Sequence, residues 1–222
     1  MNPTEQLMDM FLTRDSGLDA DITPAVIPCA YDSIVQELEN LGSKVRPDIL
    51  VNFGLSKAAQ GFTLERLGRN GCNPVLADTA GECFGDGPII PFGPATVPSR
   101  LPLDRIRRML HDFGLKAEIS GDAGGYLCNL TLYLTAGGYL SNLAPDMAGF
   151  IHVPPLTGDR DVYAARPVAG LTEDKLWRGA CAILAACVDE WRQHSAVKTR
   201  EHPQIAGSCE PTRGGPHSEH AM

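Results

Sequence analysis

Apolar residues near the start of the chain recur at Leu7, Met10 and Phe11, the three- and four-residue spacing of one helix face. After a polar stretch, Ala25, Val26 and Ile27 follow Pro24 and predict a short strand. Ile34, Val35, Leu38 and Leu41 predict a helix over 31–41, with Gly42 as its stop. The run from Asp48 to Gly54, DILVNFG, has the continuous apolar centre of a strand covered on both faces. Residues 71–102 are rich in Gly and Pro and hold no period, which predicts a long irregular connection with at most a short strand. Beyond it, Ile106, Met109, Leu110 and Phe113 predict a helix over 104–113 ending at Gly114. A strand over 115–120, a helix over 126–139 and a strand over 149–153 follow. Thr172 is placed to cap a last helix whose first turn carries Glu173 and Asp174 and whose broad apolar face runs from Leu176 to Trp191.

Strands alternating with helices imply a three-layer α/β/α fold with a mostly parallel central sheet. In such a sheet, sites lie outside the carboxyl ends of the strands. The apolar period is lost from about residue 195, so the expectation is one domain over 1–194 and a disordered tail over 195–222.

Composition narrows the function classes. With 43% hydrophobic and 21% charged residues the 222-residue chain is an ordinary globular one. Nineteen Lys and Arg against 27 Asp and Glu give a net charge of −8, which argues against nucleic acid or an anionic membrane as partner. No stretch approaches the eighteen apolar residues of a membrane span, and the acids at the N-terminus are unlike a signal peptide; a cytoplasmic location is expected. Seven cysteines with no CxxC pair and no His at zinc-ligand spacing predict neither a disulfide framework nor a metal site.

Three segments carry candidate chemistry. In SGDAGGYLCN, residues 120–129, a strand passes through a glycine-rich turn and delivers Cys128 to a helix start. There the helix dipole and free amides lower a thiol's pKa and can bind an oxyanion; the competing reading is a small side chain packed under a tight turn. In AGFIHVP, residues 148–154, His152 ends an apolar strand at the sheet's carboxyl edge, either as a base for a thiol or as a core histidine. In FTLERLGRN, residues 62–70, Glu65 is placed either to orient an imidazole or to form a surface pair with Arg66. Asp78 is a second candidate acid.

Together the segments resemble pyroglutamyl-peptidase I, a family of cysteine peptidases that remove an N-terminal pyroglutamyl residue. The resemblance is carried by S-x-x-A-G-x-Y-x-C-N at 120–129, A-G-F-I-H-V-P at 148–154 and T-x-E-R-x-x-x-N at 63–70. P-D-I-L-V at 47–51, D-x-x-G at 78–81 and G-P-x-x-x-x-S-x-L-P at 93–102 support it. It implies Cys128 as nucleophile, His152 as base and Glu65 as orienting acid, with Gly54, Leu55, Gly124 and Tyr126 lining the substrate. It implies no metal or organic cofactor, peptides or small amides with an N-terminal pyroglutamate as substrates, and a homo-oligomer. Leu55, Lys57 and Phe62 depart from the family pattern. The resemblance also implies an opening strand and a G-F-x-P-F-G-like loop ahead of Asn2-Pro3; without them the chain as written is expected to be poorly active or unstable. The alternatives are a related cysteine amidohydrolase acting on another small amide, and a catalytically silent homologue serving as a binding or assembly protein.

Overall fold

A computed structural model describes residues 2–157 and 171–201, the last five as backbone only. The order of elements is α1 (Pro3–Thr13), α2 (Ile34–Val45), β1 (Ile49–Leu55), β2 (Phe62–Glu65), β3 (Leu67–Arg69), β4 (Thr96–Pro98), α3 (Leu103–Asp112), β5 (Ala117–Ser120), α4 (Leu127–Gly137), β6 (Met147–Val153) and α5 (Glu173–Glu201). The central sheet runs β1-β6-β2-β5, and β3 pairs with β4 in a separate antiparallel ribbon. β1 is parallel to β6 and β2 to β5, while β2 meets β6 antiparallel. The α/β/α expectation is met, with one antiparallel joint in a mostly parallel sheet.

Period-two alternation sorts the strand residues between the faces. Ile49, Val51, Phe53, Phe62, Leu64, Ile151 and Val153 face a core shared with α1, α3 and α5. Leu50, Ala148 and Phe150 face the opposite side, built from α2 and α4. Each fully buried Leu, Ile or Phe contributes about 1.5–3 kcal/mol of hydrophobic free energy. β6 is buried along its whole length, as a central strand should be, whereas every residue of β1 is only half-buried. Among the described residues no strand pairs with the other edge of β1.

Two local readings change. Ala25–Ile27 is not a strand: Pro24 and Pro28 bracket it, each removing an amide donor from a ladder, and no described strand lies beside it. Gly42 does not stop α2, which runs on to Val45 and ends where Arg46 turns left-handed at φ 50°. A Cβ at Gly42 would lie 2.7 Å from Leu143 Cβ, so this glycine serves close packing rather than termination. Glu39 fixes the same contact by accepting bonds from the amides of Ser141 (2.7 Å) and Asn142 (2.6 Å). Thr172 caps α5 through a bond from Lys175 N at 3.2 Å. The helix continues past residue 194 to Glu201; the rest of the expected tail, 202–222, lies outside the described residues.

Candidate active site

Cys128, His152 and Glu65 are brought together on the α4 side of the sheet by alternation and register. On β6, Phe150 and His152 point to the α4 face because Ile151 and Val153 point to the other. On β2, Leu64 faces the α1, α3 and α5 core, so Glu65 turns toward α4. Antiparallel pairing sets Thr63 opposite His152 and Glu65 opposite Phe150, so Glu65 reaches His152 along the diagonal. His152 Nδ1 and Glu65 Oε1 are 2.7 Å apart. The carboxylate is 2% exposed, and its Oε2 has no hydrogen-bond partner among the described residues. Its stabilisation therefore comes through the imidazole, which donates from Nδ1 and leaves Nε2 for Cys128.

Cys128 lies in the first turn of α4, behind Tyr126 as N-cap, and the helix has no side-chain cap. Its first amides are thus available to a ligand rather than spent on a capping side chain. Burial of His152 would lower its pKa, but hydrogen bonds and charge attraction from Cys128 and Glu65 outweigh it and raise the imidazole to about 9. Burial pushes the Cys72 thiol up to about 11 and the Cys187 thiol up to about 12, so both stay neutral near pH 7. Cys187 is a plain core residue, whereas Cys29 and Cys83 are exposed and Cys72 and Cys181 are half-buried. Cys29, Cys72, Cys83, Cys128, Cys181 and Cys187 are all free.

Gly54 ends beside the site, opposite His152 in the register, and Leu55 stands opposite Val153. A Cβ on Gly54 would meet the Phe150 ring at 2.6 Å and Cys128 Sγ at 3.2 Å, so only glycine leaves room for the thiol. Gly124 adopts φ +83° in the turn before the helix, and its carbonyl accepts from Arg69 Nη2 at 3.3 Å. Arg69 also pairs with Asp122 in the same turn. Tyr126 donates its hydroxyl to Ala77 O at 3.2 Å and sits edge-on to Tyr31, which in turn meets Phe84. Asp78 is engaged elsewhere: it accepts from the amides of Tyr31 (2.7 Å), Ala80 (2.8 Å) and Glu82 (2.9 Å). Those bonds hold its carboxyl below the usual range and make it an anchor of the 78–82 loop. The carboxylate on His152 is Glu65, not Asp78.

The sequence reading gave no role to Phe150 or Asn129. The Phe150 ring meets the His152 ring tilted by 55°, centroids 5.0 Å apart, and its place two residues earlier on the same strand is the signal that could have found it. Asn129 closes its motif and is fully buried.

The geometry has counterparts among known proteins. A family model described as pyroglutamyl peptidase matches residues 1–175. The pyrrolidone-carboxylate peptidase of Pyrococcus furiosus is 34% identical over 154 residues, 69% of this chain and 74% of that one. The protein of the same name from Levilactobacillus brevis is 29% identical over 169 residues, 76% of this chain and 82% of that one. A crystal structure of Pf-PCP(1-204)-C superposes with a TM-score of 0.80 at 26% identity, covering 87% of this chain and 92% of that one. The pyrrolidone carboxyl peptidase structure from Pyrococcus furiosus solved alongside its Cys-free mutant gives 0.78 at 27% identity, with coverages of 86% and 92%. Sequence match, shared fold and a Cys, His and Glu gathered on one face of the sheet converge: the chain belongs to the pyroglutamyl peptidase family.

Proposed function

We propose that the protein is a cysteine-type hydrolase that removes an N-terminal pyroglutamyl residue from peptides, with Cys128 as nucleophile, His152 as its base and Glu65 as the orienting acid. The observation that carries this reading is the buried 2.7 Å bond between His152 Nδ1 and Glu65 Oε1 beside Cys128 at an uncapped helix start.

In this mechanism His152 holds the thiol proton and the Cys128 thiolate attacks the carbonyl that joins pyroglutamate to the next residue. The first amides of α4 stabilise the oxyanion, and Glu65 stabilises the imidazolium. His152 then gives its proton to the departing amine as the C–N bond breaks. Water, deprotonated by the same imidazole, cleaves the thioester and returns the thiol. Gly54, Leu55, Gly124 and Tyr126 are assigned to the substrate pocket. The neutral lactam suits a site with aromatic walls, such as Tyr126 and Tyr31, and a few backbone hydrogen bonds.

No helix among the described residues is long and apolar enough to cross a membrane, which is compatible with the cytoplasmic location that belongs to this reading. A homo-oligomer belongs to this reading as well. The decisive experiment is turnover of pyroglutamyl, prolyl and glutamyl arylamides by purified protein, with and without a thiol alkylator. Preference for the pyroglutamyl substrate and loss of activity on alkylation are expected. Preference for either other substrate rejects the specificity, and activity that survives alkylation rejects the nucleophile.

A further inference from the structure

We propose that Asn129 is the positioning residue of this site, its buried carboxamide setting Cys128 against His152 by bonds to the backbone that follows Glu65. The inference rests on the assignment of Cys128 and His152 made above.

The segment carrying Cys128 is not stiffened by its backbone alone: Gly124 N donates to Asp122 Oδ1 at 2.9 Å and Asn73 N to Gly125 O at 2.7 Å. It follows a turn containing Gly121, Gly124 and Gly125, where glycine leaves the backbone many alternatives. The helix it opens has no side-chain cap. Within the helix itself, the first turn is tied down by the residue after Cys128. Asn129 is 0% exposed, accepts from Arg69 N at 2.7 Å, and donates to Arg69 O and Gly71 O at 2.9 Å each. Both amide protons and one oxygen lone pair are thereby used.

Those bonds land on the strand that leaves Glu65. Between them, Arg66 is held by bonds from its amide to Ser120 O and from Ser99 N to its carbonyl, both 2.8 Å. The path from Cys128 through Asn129 and Arg69 back to Glu65 is therefore short and held at each step. Since His152 is bonded to Glu65, one carboxamide links the nucleophile's helix to the acid–base pair. Gly68 permits the reach: a Cβ there would lie 2.8 Å from Tyr133 N, so only glycine lets β3 lie this close to α4. A second asparagine extends the linkage. Asn70, between the two residues that Asn129 holds, bonds Ile90 N (2.8 Å), Ile90 O (2.9 Å) and Gly93 O (3.2 Å). The long 71–95 connection is thus carried on the backbone that places the nucleophile.

Asn129→Asp keeps the shape but removes both donors, setting a carboxylate against the carbonyls of Arg69 and Gly71 and pushing the first turn away. A displacement of about 1 Å at a reacting group costs about 10²-fold in rate. The experiment compares wild type, Asn129→Asp and Asn129→Ser, each checked for folding by circular dichroism and melting temperature, on a pyroglutamyl arylamide across pH 5–10. The expected result is kcat lowered about 10- to 100-fold per folded molecule, KM within about twofold, and the alkaline limb moved to lower pH as His152 loses Cys128 as partner. No turnover by wild type overturns the assignment of function on which this rests. With an active wild type, folded variants whose alkaline limb stays in place overturn the positioning role alone, whatever their kcat or melting temperature. Failure of both variants to fold overturns it too, since the carboxamide would then serve the fold rather than the site.

Discussion

At the residue scale, the site depends on which carboxylate His152 meets. Glu65 has one oxygen on the imidazole and the other without a hydrogen-bond partner among the described residues, while Asp78 spends both oxygens on backbone amides. Cys128→Ala is expected to lose at least about 10⁴-fold in kcat, because no other group can form the thioester. Glu65→Gln is expected to lose about 10²- to 10⁴-fold without abolishing turnover. It should also move the alkaline limb of kcat/KM below the value near 9 at which the imidazolium otherwise loses its proton. Asp78→Asn should lower the melting temperature and leave that limb in place; a shifted limb would restore Asp78 as the acid. The residue pattern alone left the acid open between these two and the family resemblance pointed to Glu65; the diagonal across an antiparallel pair is what brings that side chain to the ring.

At the element scale, strong local patterns were legible and close contacts were not. The 48–54 run, the 104–113 helix and the Thr172 cap read correctly because each is fixed by its own apolar face or cap. Gly42 misled because a glycine required by a neighbouring element looks, in sequence, like a glycine required by a stop. The two readings predict opposite outcomes for Gly42→Ala. Helix propensity alone would stabilise the variant by about 1 kcal/mol, whereas the 2.7 Å approach to Leu143 Cβ should destabilise it by about 1–3 kcal/mol. A denaturant midpoint below that of wild type is expected. Gly54→Ala applies the same test to the site. The overlap with Phe150 and Cys128 should reduce activity about 10²-fold or more, beyond any loss of folded protein. Near-normal kcat would show that the thiol has room to move. The same kind of contact explains why Asn129 carried no sequence signal: its partners are backbone atoms some sixty positions away.

At the scale of the whole molecule, the site couples to stability. His152 is raised in the folded protein to about 9 from an ordinary 6.5, so its proton stabilises the fold. That contribution is fully present below pH 6.5 and lost as pH rises through about 9. The melting temperature of wild type should therefore fall between pH 7 and 10 more than that of Glu65→Gln; parallel curves would remove the coupling. The half-buried β1 has a wider consequence. Among the described residues no strand pairs with its outer edge, and an apolar strand edge of that kind is a growth surface opposed by the mutual repulsion of molecules carrying a net charge of −8. Salt shortens the reach of that repulsion from about 30 Å at 0.01 M to about 8 Å at 0.15 M. The protein's colloidal behaviour should then invert the usual advice for a well-closed sheet: light scattering should rise with added salt and with concentration, and low ionic strength should keep the molecules apart.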